Sequence, residues 1–251
     1  MTPIREELMA YAKQERSNDQ IVRKLMESNE WFAVAGFAAV SLGRTKFDLI
    51  LHPVNQESMP TDRLVYFTDL EAAQWADLPV SFIGKLSGVD AFSILDEKQH
   101  TRLDINYGLP IEQTFFAGAD AFPLLRLWAT SIRLEQQLRA AIEGASPVPF
   151  LGLKNHPGFV VAVKKENNQW LVGAEAFGES ALVFTAPDRF TTYWRQLSPQ
   201  DREAVSGTTV SGEKLFPMLM RDGLQGLTCN RGSELPITIP AGMFEQVISA
   251  E

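Results

Sequence analysis

One short segment of the sequence has residue types suited to binding an acidic group. Asn230, Arg231 and Gly232 follow an apolar segment near the end of the chain. Because asparagine and glycine both tolerate left-handed backbone conformations, this triplet is typical of a tight turn with the arginine at its centre. A guanidinium held on such a turn can bind a carboxylate or a phosphate through paired hydrogen bonds. We therefore predict a binding site at Asn230 and Arg231; the alternative is an exposed turn arginine without a binding role.

A second segment, GTTVSGEK at Gly207–Lys214, has the glycines of a phosphate-binding loop. That motif requires a lysine directly after the second glycine, followed by a hydroxyl residue. Glu213 stands in place of the lysine, and its carboxylate would repel a phosphate. Leu215 follows Lys214, so the hydroxyl that would bind a metal ion is missing as well. The segment therefore predicts a turn leading into a helix.

The histidines and the single cysteine indicate no metal site, and no cofactor is predicted. His52, His100 and His156 are too far apart in sequence to share a helical face, and no cysteine or histidine spacing suits zinc. We expect the two His-Pro dipeptides, at His52 and His156, to lie in loops. Cys229 lies in an apolar segment, which favours a buried, inert thiol over a reactive one.

Acidic residues in the first half offer a possible carboxylate pair for acid–base catalysis. They are Asp90, Asp96, Glu97 and Asp104. The alternation in TRLDINY, residues 101–107, predicts a strand that is buried on one side only. It places Arg102, Asp104 and Asn106 on the solvated face. This interpretation favours an ordinary surface strand over a catalytic pair.

Helices and strands are mixed in both halves without strict β-α-β alternation. Ser17 and Gln20 form a capping box for a helix that follows one beginning at Pro3. The longest helix is predicted over Ala121–Glu143, where an apolar stripe includes Leu124, Trp128 and Ile142. Strands are predicted at Trp31–Leu42, Phe47–Leu51, Arg63–Thr68, Phe159–Lys164, Trp170–Ala174 and in the two segments around Asn230. We therefore predict an α+β fold with partly antiparallel sheets.

The sequence also contains a faint internal repeat. LVYFTDLEAAQW, residues 64–75, matches ALVFTAPDRFTTYW, residues 181–194, since each is an apolar strand ending in Phe-Thr before a helix with a tryptophan. Aligning residues 80–95 with 210–229 predicts a strand over Ala91–Ile94. On this alignment the counterpart of the Asn230 turn is residues 95–97. The similar letters of residues 106–108, Asn-Tyr-Gly, are then a coincidence.

The second half resembles a known family. DGLQGLTCNRGSELPITIPAGMFEQV, residues 222–247, and the Phe-Thr segment before it are similar to the N-terminal domain of the enhanced-serine-sensitivity (SseB) family. The resemblance covers about residues 155–250 and, more faintly, residues 31–116. Arg231 replaces the usual proline of the family's Asn-Pro-Gly-type turn. The resemblance implies two related SseB-like halves, each a mixed sheet packed with helices, and brings no catalytic residues.

Domain boundaries follow from this repeat. Residues 1–118 form the first predicted domain, with its N-terminal helices. Residues 119–251 form the second, which opens with the long helix. The predicted oligomeric state is a monomer or a homodimer. The candidate dimer surface is the helix at residues 120–143 or the N-terminal helices, and the alternative, which we favour, is that the apolar face of the long helix belongs to the core.

Composition excludes two classes of function. The formal net charge is -8 over 251 residues, which argues against a nucleic-acid binder and against binding to an anionic membrane surface. No apolar run approaches the roughly 20 residues of a membrane span. The sequence predicts a soluble, cytoplasmic, non-enzymatic binding or regulatory protein. Its partner would be a protein or a small ligand, held in the groove between the halves. The alternative is a hydrolase or transferase with a dispersed active site in that cleft.

Overall fold

The computed structural model describes residues 3–28, 31–35, 63–69, 71–72, 82–175, 178–233 and 236–251. The chain divides into two compact units, Met1–Ala129 and Thr130–Glu251. Each unit combines helices with a mixed sheet, which confirms the predicted α+β class. The division falls inside the long helix, whereas the sequence places its boundary just before that helix. The predicted strand at residues 47–51 and His52 lie outside the described residues.

The first unit contains a five-stranded sheet. Its described helices are α1 (Pro3–Ala12), α2 (Asn18–Glu27) and α3 (Gly88–Ser93), and the long helix α4 (Phe122–Ile142) begins in it. Its strands are β1 (Trp31–Ala35), β2 (Arg63–Phe67), β3 (Phe82–Leu86), β4 (Arg102–Ile105) and β5 (Phe115–Gly118). The strand order is β3-β1-β2-β4-β5. The β2–β4 pair is parallel and the other pairs are antiparallel.

The second unit contains a six-stranded sheet. Its helices, besides the rest of α4, are α5 (Phe150–Lys154), α6 (Pro187–Gln196), α7 (Pro199–Ala204), α8 (Gly212–Arg221) and α9 (Phe244–Ser249). Its strands are β6 (Phe159–Lys164), β7 (Val172–Glu175), β8 (Gly178–Phe184), β9 (Val205–Val210), β10 (Gly226–Cys229) and β11 (Ile237–Pro240). The order is β11-β10-β8-β6-β9, with β7 paired to β8. The β8–β10 pair is parallel and the other pairs are antiparallel.

The two sheets have the same strand order and the same strand directions. β6, β8, β9, β10 and β11 take the places of β1, β2, β3, β4 and β5. In each unit the parallel pair brings two strand carboxyl ends to one edge of the sheet. Loops at such an edge are a common place for ligand sites. The Asn230 turn lies at this edge of the second unit.

Gly88 and Gly212 make the same close backbone contacts, so they occupy equivalent positions in the two units. Gly88 begins α3 and Gly212 begins α8, and each donates its backbone N–H to a carbonyl that lies just after a preceding helix. A Cβ at either glycine would meet a backbone carbonyl oxygen at 2.2 or 2.0 Å, so no larger residue fits without movement of the backbone. The sequence alignment of residues 80–95 with 210–229 is therefore wrong. Residues 91–93 belong to α3, where a strand was predicted.

Local signals at the helices agree with the sequence. Ser17 and Gln20 form the predicted capping box. α4 matches the predicted long helix, but Leu124 and Ile142, assigned to its buried stripe, are more than half exposed. Leu125 and Leu134 are buried instead, because the core-facing side differs between the two ends of the helix. Among the described helices, none is both long and apolar enough to cross a bilayer.

Candidate functional site

The predicted turn at residues 230–232 lies directly after β10. Asn230 has φ 57° and Gly232 has φ 82°, so both occupy the left-handed region as predicted. The Asn230 backbone N–H donates to the Val183 carbonyl at 2.8 Å, and Ser233 N–H closes the turn on the Asn230 carbonyl at 3.0 Å. These bonds hold the turn against the carboxyl end of β8.

Asn230 is buried and serves as an anchor. The residue is 3% exposed, and its Oδ1 accepts the Thr185 backbone N–H at 3.0 Å. Its Nδ2 donates to Thr185 Oγ1 at 3.0 Å. The amide thus joins the carboxyl ends of β8 and β10 and satisfies polar groups that burial would otherwise leave unpaired. Of the two predicted site residues, Asn230 positions the turn and has no free face for a ligand.

Thr185 extends this polar network to two helices. Its hydroxyl donates to Glu135 Oε1 on α4 at 2.5 Å. Arg189 on α6 donates to the same carboxylate through Nε and Nη2, in the forked geometry that makes Arg–carboxylate pairs strong. The Glu135 carboxylate therefore has a partner on each side. It fixes α4 and α6 to the sheet edge.

Arg231 is the exposed member of the turn. Its side chain is 44% exposed, and its Nη1 lies 3.8 Å from Glu175 Oε1 on β7, which is a loose ion pair. The guanidinium lies above Gly173, where a Cβ would come within 2.0 Å of Nη1. Glycine at position 173 is therefore required for this side-chain placement. Thr228 Oγ1 donates to the same Glu175 oxygen at 3.1 Å.

The sheet face beneath Arg231 changes from apolar to polar. Leu182 and Phe184 of β8 belong to an apolar cluster on this face, against which α6 packs Phe190 and Tyr193. Because strand side chains alternate, Ser180 lies on the same face as Leu182. Ser180 is fully buried, and its Oγ has no hydrogen-bond partner in the described part of the chain. We call the polar part of this face the Arg231 surface; it comprises Gly173, Glu175, Ser180, Thr228 and Arg231.

Helix α6 braces the turn from the other side. Gln196 Nε2 donates to the Gly232 carbonyl at 3.1 Å. Burial raises the pKa of Tyr193, and the nearby Arg231 charge acts in the opposite direction. Arg231 therefore lies within electrostatic reach of α6 as well as of β7.

A buried histidine is a feature that the sequence did not reveal. His156 is almost fully buried and its ring lies 4.2 Å from the Phe159 ring, between centroids. Its Nδ1 accepts the Gly158 N–H at 3.2 Å, so the neutral ring donates Nε2–H to Ser131 Oγ on α4, 3.1 Å away. Burial lowers the pKa of His156 to about 4, and the Glu135 charge opposes this shift. The only sign in the sequence of a polar contact here was Ser131, which lies within the predicted apolar stripe of α4.

Two other sequence interpretations have different outcomes. Cys229 is fully buried, and burial raises the pKa of its thiol to about 12, so the inert thiol is confirmed. The solvated face predicted for residues 102–106 is wrong at Asp104 and Asn106, whereas the Arg102 side chain is partly exposed. Asp104 is buried and pairs with Arg102 at 2.8 Å, while Asn106 is fully buried because it bonds to Thr68.

The phosphate-loop interpretation also fails on geometry. Residues 207–210 belong to β9 and pair with β6, so they form no loop that could surround a phosphate. Glu213 and Lys214 lie in the first turn of α8, so the predicted helix is confirmed, but the residues before it form β9 where a turn was predicted. Within the described ranges, no group of three His, Cys, Asp or Glu side chains could hold a metal ion.

A comparison of the chain with models of known protein families, with curated proteins and with solved structures finds no match.

Proposed function

We propose that this chain is a non-enzymatic binding or regulatory protein of the cytoplasm. Its second unit would bind an acidic group of a protein partner or small ligand through Arg231. One observation carries the proposal: Arg231 is half exposed on a turn that its neighbours hold rigid, and its nearest carboxylate is a loose 3.8 Å contact. A guanidinium presented on a tight turn suits a carboxylate or a phosphate.

One hydroxyl group supports the same choice of ligand. Thr228 already donates to Glu175, next to the guanidinium. A ligand that displaces the Glu175 carboxylate would meet Arg231 and the Thr228 hydroxyl together, so its oxygens would replace an existing acceptor.

The ancestry we propose is that of two SseB-like domains joined in one chain. The shared strand order and the matching Asn-x-Gly turns support a common origin of the two units. The resemblance in residues 155–250 supports the family, with the substitution of arginine for the usual turn proline as the departure. In the family's pattern that proline carries no charge, so the acidic-group binding proposed here belongs to this chain.

The alternative of a dispersed hydrolase or transferase site stays a prediction. It requires a cavity where ionisable groups with shifted pKa values meet. In the described part of the chain, the groups with clear shifts include His156 and Cys229, whose shifts come from burial in the core. None of the shifted groups lines any of three cavities found among the described residues.

The test compares partners captured from the native cell by three proteins. These are the wild-type chain, Arg231→Ala, and Arg221→Ala as a control with the same charge change at another exposed arginine. We expect a partner, identified by mass spectrometry, that Arg231→Ala loses and the control retains. Phosphatase treatment of the captured partner distinguishes a phosphate from a carboxylate. If Arg231→Ala retains every partner, Arg231 is not the binding residue.

A further inference from the structure

Strand β5 forms one edge of the sheet in the first unit, and among the described strands only β4 pairs with it. The residue pairs of an antiparallel ladder alternate between those that exchange backbone hydrogen bonds and those that do not. Ala119 N–H donates to the Thr101 carbonyl at 3.0 Å, so this pair is a bonded one. By alternation Phe116 and Gly118 make no bonds to β4. The N–H and C=O of Phe116 and the N–H of Gly118 therefore point outward from the sheet.

The equivalent edge of the second unit is closed by a proline. β11 pairs with β10 as β5 pairs with β4, and Ala241 N–H donates to the Gln225 carbonyl at 2.8 Å. Pro240 therefore takes the outward position that Gly118 has in the first unit. Proline has no N–H to donate and its ring obstructs a further strand, so it protects sheet edges from pairing. Gly118 is exposed and leaves the same position open.

A groove of about 400 Å³ runs along the open edge of β5. All four residues of β5 line it, together with residues of α1, α2 and the start of α4. Because neighbouring residues of a strand point to opposite faces, a groove that contacts all of them lies beside the edge of the strand. Phe116 and Leu124 line this groove and are each more than half exposed, so they offer apolar contact to a bound segment.

Among the described residues that line the groove, the charged ones are both acidic. Asp19 lies in the first turn of α2, and Asp120 follows β5. A Cβ at Gly118 would lie 2.7 Å from the Asp120 Oδ1, so this carboxylate lies at the end of the open edge. Arg63 and Arg102 pair with a carboxylate of β4 and do not line the groove. The groove therefore favours a cationic segment.

We propose that the open edge of β5 binds an extended basic segment of a partner protein, which adds to the sheet as a further strand. The residue opposite Phe116 would exchange both backbone bonds with it, and Gly118 N–H would donate to a carbonyl of the segment. The residue between these two positions lies opposite Ala117 and directs its side chain into the groove. A lysine there packs its methylenes against the apolar lining and brings its ammonium group to the aspartates.

A second copy of the chain fits this edge less well. Each copy has a formal net charge of -8 and an Asp120 carboxylate at the end of its open edge. Pairing of two such edges would bring like charges together, which opposes association. A basic segment instead places its charges beside carboxylates, so its electrostatic contribution is favourable.

Peptide binding to the full chain, measured by calorimetry, tests the proposal. The probe is the acetylated and amidated peptide TVKVKVT, whose lysines face the groove when its valines pair with β5. The acidic peptide TVEVEVT should bind at least about tenfold more weakly. N-methylation of the central valine removes the N–H that would donate to the Phe116 carbonyl and should weaken binding at least about tenfold. N-methylation of one lysine is the matched control, because that N–H points away from β5, and should change the affinity by less than about threefold.

Variants then locate the binding. Gly118→Pro copies the second unit and removes the outward N–H, and the φ of -77° at this position is one that proline adopts. Gly118→Ala is the matched control, because it adds the same Cβ beside Asp120 and keeps the N–H. TVKVKVT should bind about tenfold more weakly to the proline variant than to the alanine variant. Asp120→Asn should weaken binding several-fold, whereas Glu27→Gln, at the far end of α2, should not.

Several results would overturn the proposal. These are no binding of TVKVKVT at millimolar concentration, equal binding of TVEVEVT, equal effects of the two N-methylations, equal effects of Gly118→Pro and Gly118→Ala, or equal effects of Asp120→Asn and Glu27→Gln. A dimer of the free chain that Gly118→Pro dissociates, detected by light scattering, would assign the edge to a second copy and overturn it as well.

Two features keep the outcome decisive. If Gly118→Pro does not fold, the two N-methylated peptides on the wild-type chain still show whether the backbone of the peptide pairs with β5. Arg231→Ala should leave the affinity for TVKVKVT unchanged, so the result is separate from that of the function proposed above.

Discussion

The two units end their second parallel strand in turns of the same geometry. Asn106 has φ 58° and Asn230 has φ 57°, while Gly108 and Gly232 have φ 86° and 82°. In each turn the asparagine Oδ1 accepts the backbone N–H of the threonine that ends the neighbouring strand, at 2.9 and 3.0 Å. The sequence alignment that treated the two triplets as a coincidence is therefore wrong. The asparagine and glycine are required by the backbone of each unit.

The residue at the centre of the turn is where the units differ. Tyr107 in the first unit is an aromatic residue that is only partly buried, whereas Arg231 in the second is an exposed arginine. The backbone therefore constrains the outer residues of the turn and leaves the central one free to vary. This variation at a rigid position is the reason to place a specific binding role in the second unit.

An ion pair lies beside the turn in each unit, but the elements that supply its cation and its carboxylate differ. In the first unit Arg5 on α1 pairs at 2.9 Å with Asp69, which follows the Phe-Thr segment. In the second unit the carboxylate, Glu135, comes from the long helix, and the cation, Arg189, comes from the helix after Phe-Thr. Both units thus have an ion pair beside the turn. The segment after Phe-Thr supplies the carboxylate in the first unit and the cation in the second. Either polarity satisfies the requirement for balanced charge at the sheet edge.

The largest expected effect is the loss of either asparagine. Asn106→Ala and Asn230→Ala should each destabilise the protein by about 2–4 kcal/mol. Removing the amide leaves a buried threonine N–H unpaired, at about 1–3 kcal/mol. Alanine also tolerates the left-handed backbone poorly, at about 1–2 kcal/mol. Urea denaturation and amide hydrogen exchange in each unit provide the measurement.

A glycine control separates these two causes. Asn230→Gly removes the side-chain bonds but keeps the left-handed backbone, so it should destabilise less than Asn230→Ala. An effect near zero for Asn106→Ala, with a large one for Asn230→Ala, would mean that the two turns are not equivalent.

The next effect is a pH dependence that His156 gives to the second unit. Gly212 N–H bonds to the His156 carbonyl, and Gly88 N–H bonds to the Ser28 carbonyl, so serine takes the histidine's position in the first unit. The pKa of His156 is lowered from 6.5 to about 4 in the folded protein. The unfolded chain therefore binds the proton more tightly, and stability falls as pH drops from about 6.5 to 4. The loss is at most about 3 kcal/mol.

His156→Ser reproduces the first-unit residue and isolates this contribution. The variant should be less stable at pH 7, because it loses packing against Phe159 and the bond to Ser131. It should also lose stability less steeply than the wild type between pH 6.5 and 4. Urea denaturation at a series of pH values gives both slopes. Equal slopes in the two proteins would show that the pKa of His156 is the same in the folded and unfolded states, so that burial does not lower it.

A smaller effect is expected from changing the charges of the Glu135–Arg189 ion pair. Arg189→Glu places a second carboxylate beside Glu135 and should destabilise by about 1–3 kcal/mol, since both groups are partly buried. Adding Glu135→Arg restores opposite charges and should recover about 1 kcal/mol, but not all, because the Thr185 hydroxyl loses its acceptor. A double-mutant cycle measures the coupling.

The i,i+4 pair Arg23–Glu27 provides the control cycle for this measurement. It joins successive turns of α2, where such pairs contribute about 0.2–0.5 kcal/mol. A coupling for Glu135 and Arg189 no larger than that of the control would mean that the polarity of the pair is not important for stability.

The sequence predicted features whose causes are local. The Ser17–Gln20 capping box, the long helix and the left-handed Asn230 turn each depend on residues within a few positions. It failed where the cause is a contact across the fold. The bonds of Asn106 and Asn230 to the Phe-Thr segments span 38 and 45 positions, and no local pattern reports them. For the same reason Asn106 was assigned to the solvated face.

The smallest expected effect on stability, and the most specific on function, comes from exchanging the central turn residues. Arg231→Tyr copies the first unit and should change the free energy of unfolding by less than about 0.5 kcal/mol, because an exposed, loose ion pair contributes little. It should nevertheless abolish capture of the partner that depends on Arg231. Tyr107→Arg should be similarly neutral and should gain no such partner, because the first unit has reversed charges beside its turn. Urea denaturation and partner capture together measure both variants, and capture of the same partner by Arg231→Tyr would move the binding site away from this turn.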